Sequence, residues 1–356
     1  MKKTLLTICL VWMCFSLSAQ KIIDLSGKWS FSIDRQDNGE KEKWFSHTLN
    51  DCINLPGSMP EKLKGDEVTA KTQWTGSLYD SSYYYNPYME KYRKEGNIKF
   101  PFFLTPDKHY VGAAWYQKEV NIPADWKGER ILLFLERPHI ETTVWVNGQK
   151  TGMQNSLCVP HQYDITHYVR PGKCTITIRV DNRIKEINVG PDSHSITDQT
   201  QGNWNGIVGR ICLQTTPKTY FDDIQIYPEP EQKLARVKVV IKGTGTAKVK
   251  LSAESFNTDK KHIVPAIQQE IKLNKGVTET EMVLPMGNDM LLWDEFHPAL
   301  YKLKAEVTNG KKTEIKEIQF GMRRFEIKGK WFYVNGRKTQ LRGTVENCDF
   351  PLTGYA

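Results

Sequence analysis

Two groups of residues in this sequence are of types that could engage a molecule rich in hydroxyl groups. The first is the loop Asp198-Gln199-Thr200-Gln201-Gly202-Asn203-Trp204-Asn205. Asp198 and Asn203 can make paired hydrogen bonds to hydroxyls, and Trp204 offers an aromatic face to a C–H patch. The same residues would also suit a turn laid over a core tryptophan. The second group lies near the carboxy end, where Arg342 is followed by Glu346, Asn347 and Asp349. Glu346 and Asp349 could accept hydrogen bonds from hydroxyls or be ordinary loop carboxylates. An arginine beside a strand end needs a partner for its planar donor fork. Asp181-Asn182 closes a strand and could shape such a site from behind. Trp74 and Tyr79 could wall the same pocket or serve packing alone.

Other constellations point away from alternative chemistries. His161 and His167 lack the spacing of a zinc site, so a surface or core role is expected. Gly243-Thr244-Gly245-Thr246 is not followed by a helix and so is not a phosphate loop; it reads as a hairpin turn. Of the seven cysteines, Cys52, Cys158, Cys174, Cys212 and Cys348 lie beyond the first twenty residues. Their odd number and irregular spacing signal neither a disulfide framework nor a metal site, although Cys158 could pair with Cys174. The net charge is +8, but no dense Lys/Arg run concentrates it, which argues against a nucleic-acid footprint. No cofactor and no metal are expected.

These residues must be positioned by β-structure, because periodicity of two dominates the chain. Ile176, Ile178 and Val180 alternate with Thr175, Thr177 and Arg179. Val237, Val239 and Ile241 form a second such set, and Ala247, Val249, Leu251 and Ala253 a third. Tyr301, Leu303, Ala305 and Val307 follow, then Ile318, Phe320 and Met322. Each set should put an apolar face inward and a wet face outward, as in an antiparallel sandwich. Asn147-Gly148, Asn309-Gly310 and Asn335-Gly336 fall at the ends of such runs and tolerate the positive φ of hairpin tips. Two sheet-rich blocks result, one from about Ile22 to Thr216 and one from about Lys218 to Arg324, the latter with the proline-bearing link Tyr227-Pro228-Glu229-Pro230. A long stretch from Glu67 to His109 interrupts the first block. It is crowded with aromatics, which argues for an ordered loop packed on something.

The first residues read as an address. Lys2 and Lys3 precede an apolar run from Leu5 to Leu17, and Ser18-Ala19 offers a cut ahead of Gln20. This is the layout of a secretory leader, too short and wrongly flanked for a spanning helix. An exported protein, periplasmic or extracellular and without a membrane span, is expected.

A series of short motifs runs through the first block: Asp24-Leu25-Ser26-Gly27-Lys28-Trp29, Leu55-Pro56-Gly57-Ser58, Ala114-Trp115-Tyr116-Gln117-Lys118, Thr143-Val144-Trp145-Val146-Asn147-Gly148, Tyr163-Asp164-Ile165-Thr166, Arg179-Val180-Asp181-Asn182 and Trp204-Asn205-Gly206-Ile207-Val208-Gly209. In this order they resemble the amino-terminal jelly roll of glycoside hydrolase family 2, the β-galactosidase, β-glucuronidase and β-mannosidase group. Leu292-Trp293-Asp294, His297-Pro298-Ala299-Leu300-Tyr301 and Phe320-Gly321-Met322-Arg323-Arg324 resemble its immunoglobulin-like middle domain. Phe332-Tyr333-Val334-Asn335-Gly336-Arg337 with Leu341-Arg342-Gly343 resembles the entry to its catalytic (β/α)8 barrel. The resemblance covers essentially all of the chain after the leader.

The resemblance implies an all-β fold: a leader over 1–19, a galactose-binding-like jelly roll over 20–216, an immunoglobulin-like sandwich over 217–324, and the start of a truncated barrel over 325–356. A whole barrel takes about 250 residues, so most of it would lie elsewhere. The implied activity is that of an exported retaining exo-β-glycosidase on oligosaccharides or glycans, with galactoside the default. Retaining glycosidases use two carboxyl groups about 5 Å apart. The resemblance places both as glutamates on later barrel strands, and no residue of this chain matches either, so no catalytic residue is assigned. It also implies sugar contact for the loop bearing Asp198, Asn203 and Trp204, and for Arg342 at the first barrel strand. Many members follow the Arg-Gly pair with Asn and His, whereas this sequence reads Thr344-Val345-Glu346-Asn347-Cys348-Asp349. Alternatives are a glucuronide- or mannoside-specific member, or a non-catalytic carbohydrate-binding protein of two sandwiches.

Overall fold

The computed structural model describes residues 21–75, 81–100, 105–157, 159–185, 197–198 and 202–344. The chain divides into two compact units, residues 21–216 and 217–341. Among the described residues, no helix is long and apolar enough to cross a membrane.

The first unit is a jelly roll of two antiparallel sheets. One runs Ile22–Asp24, Gly206–Thr216, Arg130–Pro138, His161–Asp164, with Gly57–Ser58 joined to Gly206–Thr216. The other runs Gln149–Asn155, Glu141–Val146, Gly172–Asp181, Ala113–Ile122, Gly27–Asp34, Asp51–Leu55. Neighbours in space are mostly not neighbours in sequence. The inner faces meet in one core that includes Trp29, Phe31, Tyr116, Leu133, Val144, Ile176, Ile178 and Ile207. Each fully buried side chain of this kind contributes roughly 1.5–3 kcal/mol, far more than an exposed ion pair at about 0–1 kcal/mol, so apolar burial dominates the fold.

One expectation needs correction here. The polar partners in Gly172–Asp181 do not face water: Thr177 and Arg179 are buried along with Ile176, Ile178 and Val180. The reason is a second apolar layer. Trp115 and Trp145 form a satellite cluster with Leu49, Trp44 and Phe45, and Phe45 stacks on Trp145 at 5.2 Å. The connection between Gly27–Asp34 and Asp51–Leu55 thus covers the outer side of the sheet. Asp34 anchors it, accepting from Trp115 Nε1 at 2.9 Å and from the Gly39 N–H at 2.9 Å.

The second unit is the immunoglobulin-like sandwich. Its five strands are Tyr220–Glu229, Leu234–Phe256, Ile263–Pro285, Leu300–Asn309 and Lys312–Phe320. A second correction falls here: Gly243-Thr244-Gly245-Thr246 is not a hairpin turn. It lies inside the continuous strand Leu234–Phe256, where the register against Ile263–Pro285 shifts between Gly243 and Gly245. Gly245 takes φ 83°, which glycine adopts without steric cost. Residues before this bulge pair with Tyr220–Glu229 and residues after it with Leu300–Asn309. One strand therefore serves both sides of a single core, with Val237, Val239, Val249 and Leu251 all inside it. Bulges permit such bends. Asn147-Gly148 and Asn335-Gly336 form tight turns with positive φ at both residues, and Gly310 takes φ 60° between its strands.

A separate three-stranded sheet follows: Phe325–Lys328, Trp331–Val334, Arg337–Thr339. Asn335 ties it to the second unit, its amide donating to Trp293 O and its carbonyl oxygen accepting from the Arg324 N–H, both at 2.9 Å. Residues 341–344 have no regular structure.

Candidate functional site

Three asparagines lace one end of the jelly roll. Asn182 accepts from the Gly112 N–H at 2.8 Å and donates to Tyr110 O at 2.9 Å. Asn205 donates to Gly112 O and Val180 O and accepts from the Tyr116 hydroxyl at 2.7 Å. Asn203 donates to Asn182 O and to Thr75 Oγ1. All three are buried, and buried amides are generally hydrogen-bonded; the exception here is Asn203 Oδ1, which has no hydrogen-bond partner among the described residues. Gly206 follows because a Cβ there would stand 2.5 Å from Gly57 O.

Asp198 joins this lattice from the side. Its Oδ1 accepts from the Asn203 N–H at 3.0 Å and its Oδ2 from the Thr75 N–H at 2.5 Å. The Asp198 N–H returns a bond to Thr75 O at 3.0 Å. His109 Nε2 lies 3.4 Å from the same Oδ2. Trp204 lays one face of its indole on the His139 imidazole, ring centres 4.5 Å apart. The structure thus brings Asp198, Asn203 and Trp204 together as sequence reasoning grouped them. It also buries them, at 2%, 0% and 7% exposure, with both carboxylate oxygens of Asp198 engaged within the protein. Arg342 is exposed. Glu346, Asn347 and Asp349 lie outside the described residues, as do Tyr79 and residues 199–201.

Thr75 and His109 both belong to the aromatic insertion. Its root is closed by the antiparallel pair Asp66–Glu67 and Lys108–His109. Within it, residues 81–100 carry the short helix Ser82–Tyr85 and the 3-10 turn Pro87–Tyr92. The insertion builds its own core: Tyr83 stacks on Phe100 at 4.8 Å, and Trp74 meets Phe100 at 4.8 Å and His109 at 4.6 Å. The expectation of an ordered, packed loop agrees with this, and Trp74 is one of its packing residues. Sequence reasoning singled out neither Thr75 nor His139, because neither carries a local signal. Each acquires its place through a partner distant in the chain.

A charged cluster sits at the end of Gly172–Asp181. Asp181 accepts from Arg179 at 2.9 Å, Arg183 at 2.6 Å and Lys185 at 2.9 Å. Arg179 also reaches Asp37 at 2.6 Å and Glu141 at 3.4 Å. Burial alone would raise the Asp181 carboxyl, but bonds from Arg183 and Lys185 and the Arg179 charge outweigh it and hold it well below the carboxylate range. The alternation of three acids with three bases leaves the cluster without net charge, so Asp181, Arg179 and Glu141 are buried while Asp37, Arg183 and Lys185 reach solvent.

Two histidines are held neutral. Burial pushes His139 down to about 3, against the opposing pull of the Asn203 side chain. Burial also lowers His161, whose Nδ1 lies 2.6 Å from Thr142 Oγ1 and whose Nε2 lies 3.1 Å from Ser156 O. A depressed histidine stabilises the fold fully above its ordinary value of 6.5, and that contribution is lost as pH falls toward the folded value. Thermal unfolding should therefore show a lower Tm at pH 5 than at pH 7, at up to about 1.4 kcal/mol per pH unit for each histidine. In His139→Phe, which keeps a ring against Trp204, the dependence should flatten; an unchanged slope would exclude His139 as a source.

Among the described residues no group of His, Cys, Asp and Glu could hold a metal. Cys174 is a buried free thiol, raised by burial to about 11; Cys158, the partner considered above, lies outside the described residues.

The described chain is thus a jelly roll followed by an immunoglobulin-like sandwich. Residues 22–217 match the sugar binding domain of glycosyl hydrolases family 2, and residues 219–323 match a second domain of glycosyl hydrolases family 2. The chain belongs to glycosyl hydrolase family 2. It is 23% identical to a β-glucuronidase of Paenibacillus borealis over 355 residues, covering 94% of this chain and 51% of that protein. It is 29% identical to a putative β-glucuronidase of Formosa agariphila over 260 residues, 71% of this chain and 30% of the relative. It is 24% identical to a β-galactosidase of Thermoanaerobacter pseudethanolicus, covering 73% and 35%. The crystal structure of Ruminococcus gnavus β-glucuronidase superposes with a TM-score of 0.61 at 19% identity, over 92% of this chain and 49% of that one, which establishes the fold. The chain spans about half the length or less of these relatives.

Proposed function

We propose that this chain is the front part of an exported retaining exo-β-glycosidase that removes terminal sugars from β-linked glycans. The observation that carries the reading is the uninterrupted match of two consecutive family 2 domains, in order, over 22–217 and 219–323. The chemical step requires two carboxyl groups about 5 Å apart. We place them outside this chain, and give the jelly roll the task of shaping the sugar site. Galactoside is the substrate expected from the family at large. The relatives named β-glucuronidase favour glucuronide as a second reading. Export follows from the leader ahead of Gln20.

The test uses the gene product read through the frame beyond the codon for Ala356. Its mature form, secreted by its own host, should begin near Gln20. It should hydrolyse one of the nitrophenyl β-galactoside, β-glucuronide and β-mannoside at least about 100-fold faster in kcat/KM than the others, the discrimination expected where a site hydrogen-bonds the distinguishing group. Binding of glycans without hydrolysis of any of the three would replace the enzyme with a carbohydrate-binding protein.

A further inference from the structure

We infer that Thr75 and Asp198 form a latch that makes the root of the aromatic insertion a positioning element of the sugar site, with Asp198 acting through Asn203 rather than as a sugar contact itself. The inference rests on the glycosidase reading above for its functional half and on geometry alone for its structural half.

The geometry is reciprocal. Thr75 and Asp198 exchange two backbone-anchored bonds: Thr75 N–H to Asp198 Oδ2 at 2.5 Å and Asp198 N–H to Thr75 O at 3.0 Å. The Thr75 hydroxyl adds a third tie, accepting from Asn203 Nδ2 at 3.1 Å. That amide nitrogen gives its other hydrogen to Asn182 O at 2.9 Å, so the direction of the Asn203 side chain is set from two sides. Asp198 closes the loop by accepting from the Asn203 N–H. Asp198 and Asn203 are 2% and 0% exposed while Thr75 is half-buried, and the bonds to the carboxylate are about twice as strong as neutral ones. On the insertion side, Trp74 is wedged between Phe100 and His109, and His109 faces Asp198. Movement of the insertion root is thereby transmitted to Asn203 and to its neighbour Trp204.

The experiment uses the full gene product in three forms: Thr75→Val, which keeps the backbone bonds and shape but removes the hydroxyl acceptor; Thr75→Ser, which restores the acceptor; and Asp198→Asn, which turns one carboxylate oxygen into a donor facing an N–H. Thr75→Val and Asp198→Asn should each raise KM for the preferred glycoside by about tenfold with kcat within a few fold, one buried hydrogen bond's worth of binding. Thr75→Ser should restore KM, and the double variant Thr75→Val/Asp198→Asn should fall short of the product of the two effects, the mark of a shared network. Hydrogen exchange should show the Asn203 and Trp204 amides losing protection in Thr75→Val and regaining it in Thr75→Ser. Lost protection with unchanged KM would overturn the positioning role and leave a purely structural latch. Unchanged protection in both Thr75→Val and Asp198→Asn would overturn the latch. A wild-type protein without any glycosidase activity refutes the enzyme reading and the positioning role with it, while exchange still decides the latch.

Discussion

Replacing Asn205 by alanine should strip the jelly roll of about 3 kcal/mol, because three buried groups each lose a hydrogen bond at once, at roughly 1–3 kcal/mol where no other partner is left, and Gly112 O keeps the Asn182 N–H at 3.5 Å. They are Gly112 O, Val180 O and the Tyr116 hydroxyl. Asn205 is 1% exposed and Tyr116 is fully buried, so water cannot take over without opening the core. A native domain has about 5–15 kcal/mol in total. The transition of the first unit should fall by roughly 10 °C, given 2–4 °C per kcal/mol for a domain of this size. Tyr116→Phe isolates one of the three bonds and should cost far less, on the order of 1 kcal/mol. Urea unfolding followed by tryptophan fluorescence measures both; a loss under about 1 kcal/mol for Asn205→Ala would mean that the amide is not the organising group described here.

Asp181→Ala is the second large effect, at about 3–5 kcal/mol, the usual consequence of removing one partner from a buried ion pair. Arg179, itself 7% exposed, would keep Asp37 and Glu141 but lose its nearest fully buried carboxylate, and Arg183 and Lys185 would lose theirs. The pH dependence has a definite sign. The folded carboxyl titrates well below its ordinary value of 3.8, so its stabilising contribution is complete above that value and is lost as pH falls below about 4 toward the folded value. Wild type and Asp181→Ala should therefore converge in stability as pH is lowered below 4. Parallel curves over that range would show that the charge of Asp181 is not what stabilises the cluster. The window is separate from the histidine effect between pH 5 and 7, so the two can be measured on one protein.

Much of the architecture was legible from single residues and their spacing. The alternations over 176–180, 237–241, 247–253 and 301–307 became strands with their apolar members in the core, because a two-residue period is a property of the extended backbone itself. The Asn-Gly pairs became turns because those residues tolerate positive φ whatever surrounds them. The same local reasoning misjudged Gly243 to Thr246. Two glycines signal a place where the chain can bend, but whether it reverses or continues as a bulged strand depends on the strand alongside, here Ile263–Pro285. It also assigned water to the outer side of Gly172–Asp181, where Trp44, Phe45 and Leu49 arrive from far earlier in the chain.

By itself the sequence determined the class of structure, the positions of the tight turns and the order of motifs that marks the family, since each is written in neighbouring residues. Only the tertiary structure decided what the polar residues do. Asp198 meets Thr75 across 123 positions and Arg179 meets Asp37 across 142. A carboxylate in a sequence is equally ready for a sugar hydroxyl, a backbone N–H or a guanidinium, and only the packing of strands distant in the chain selects among them.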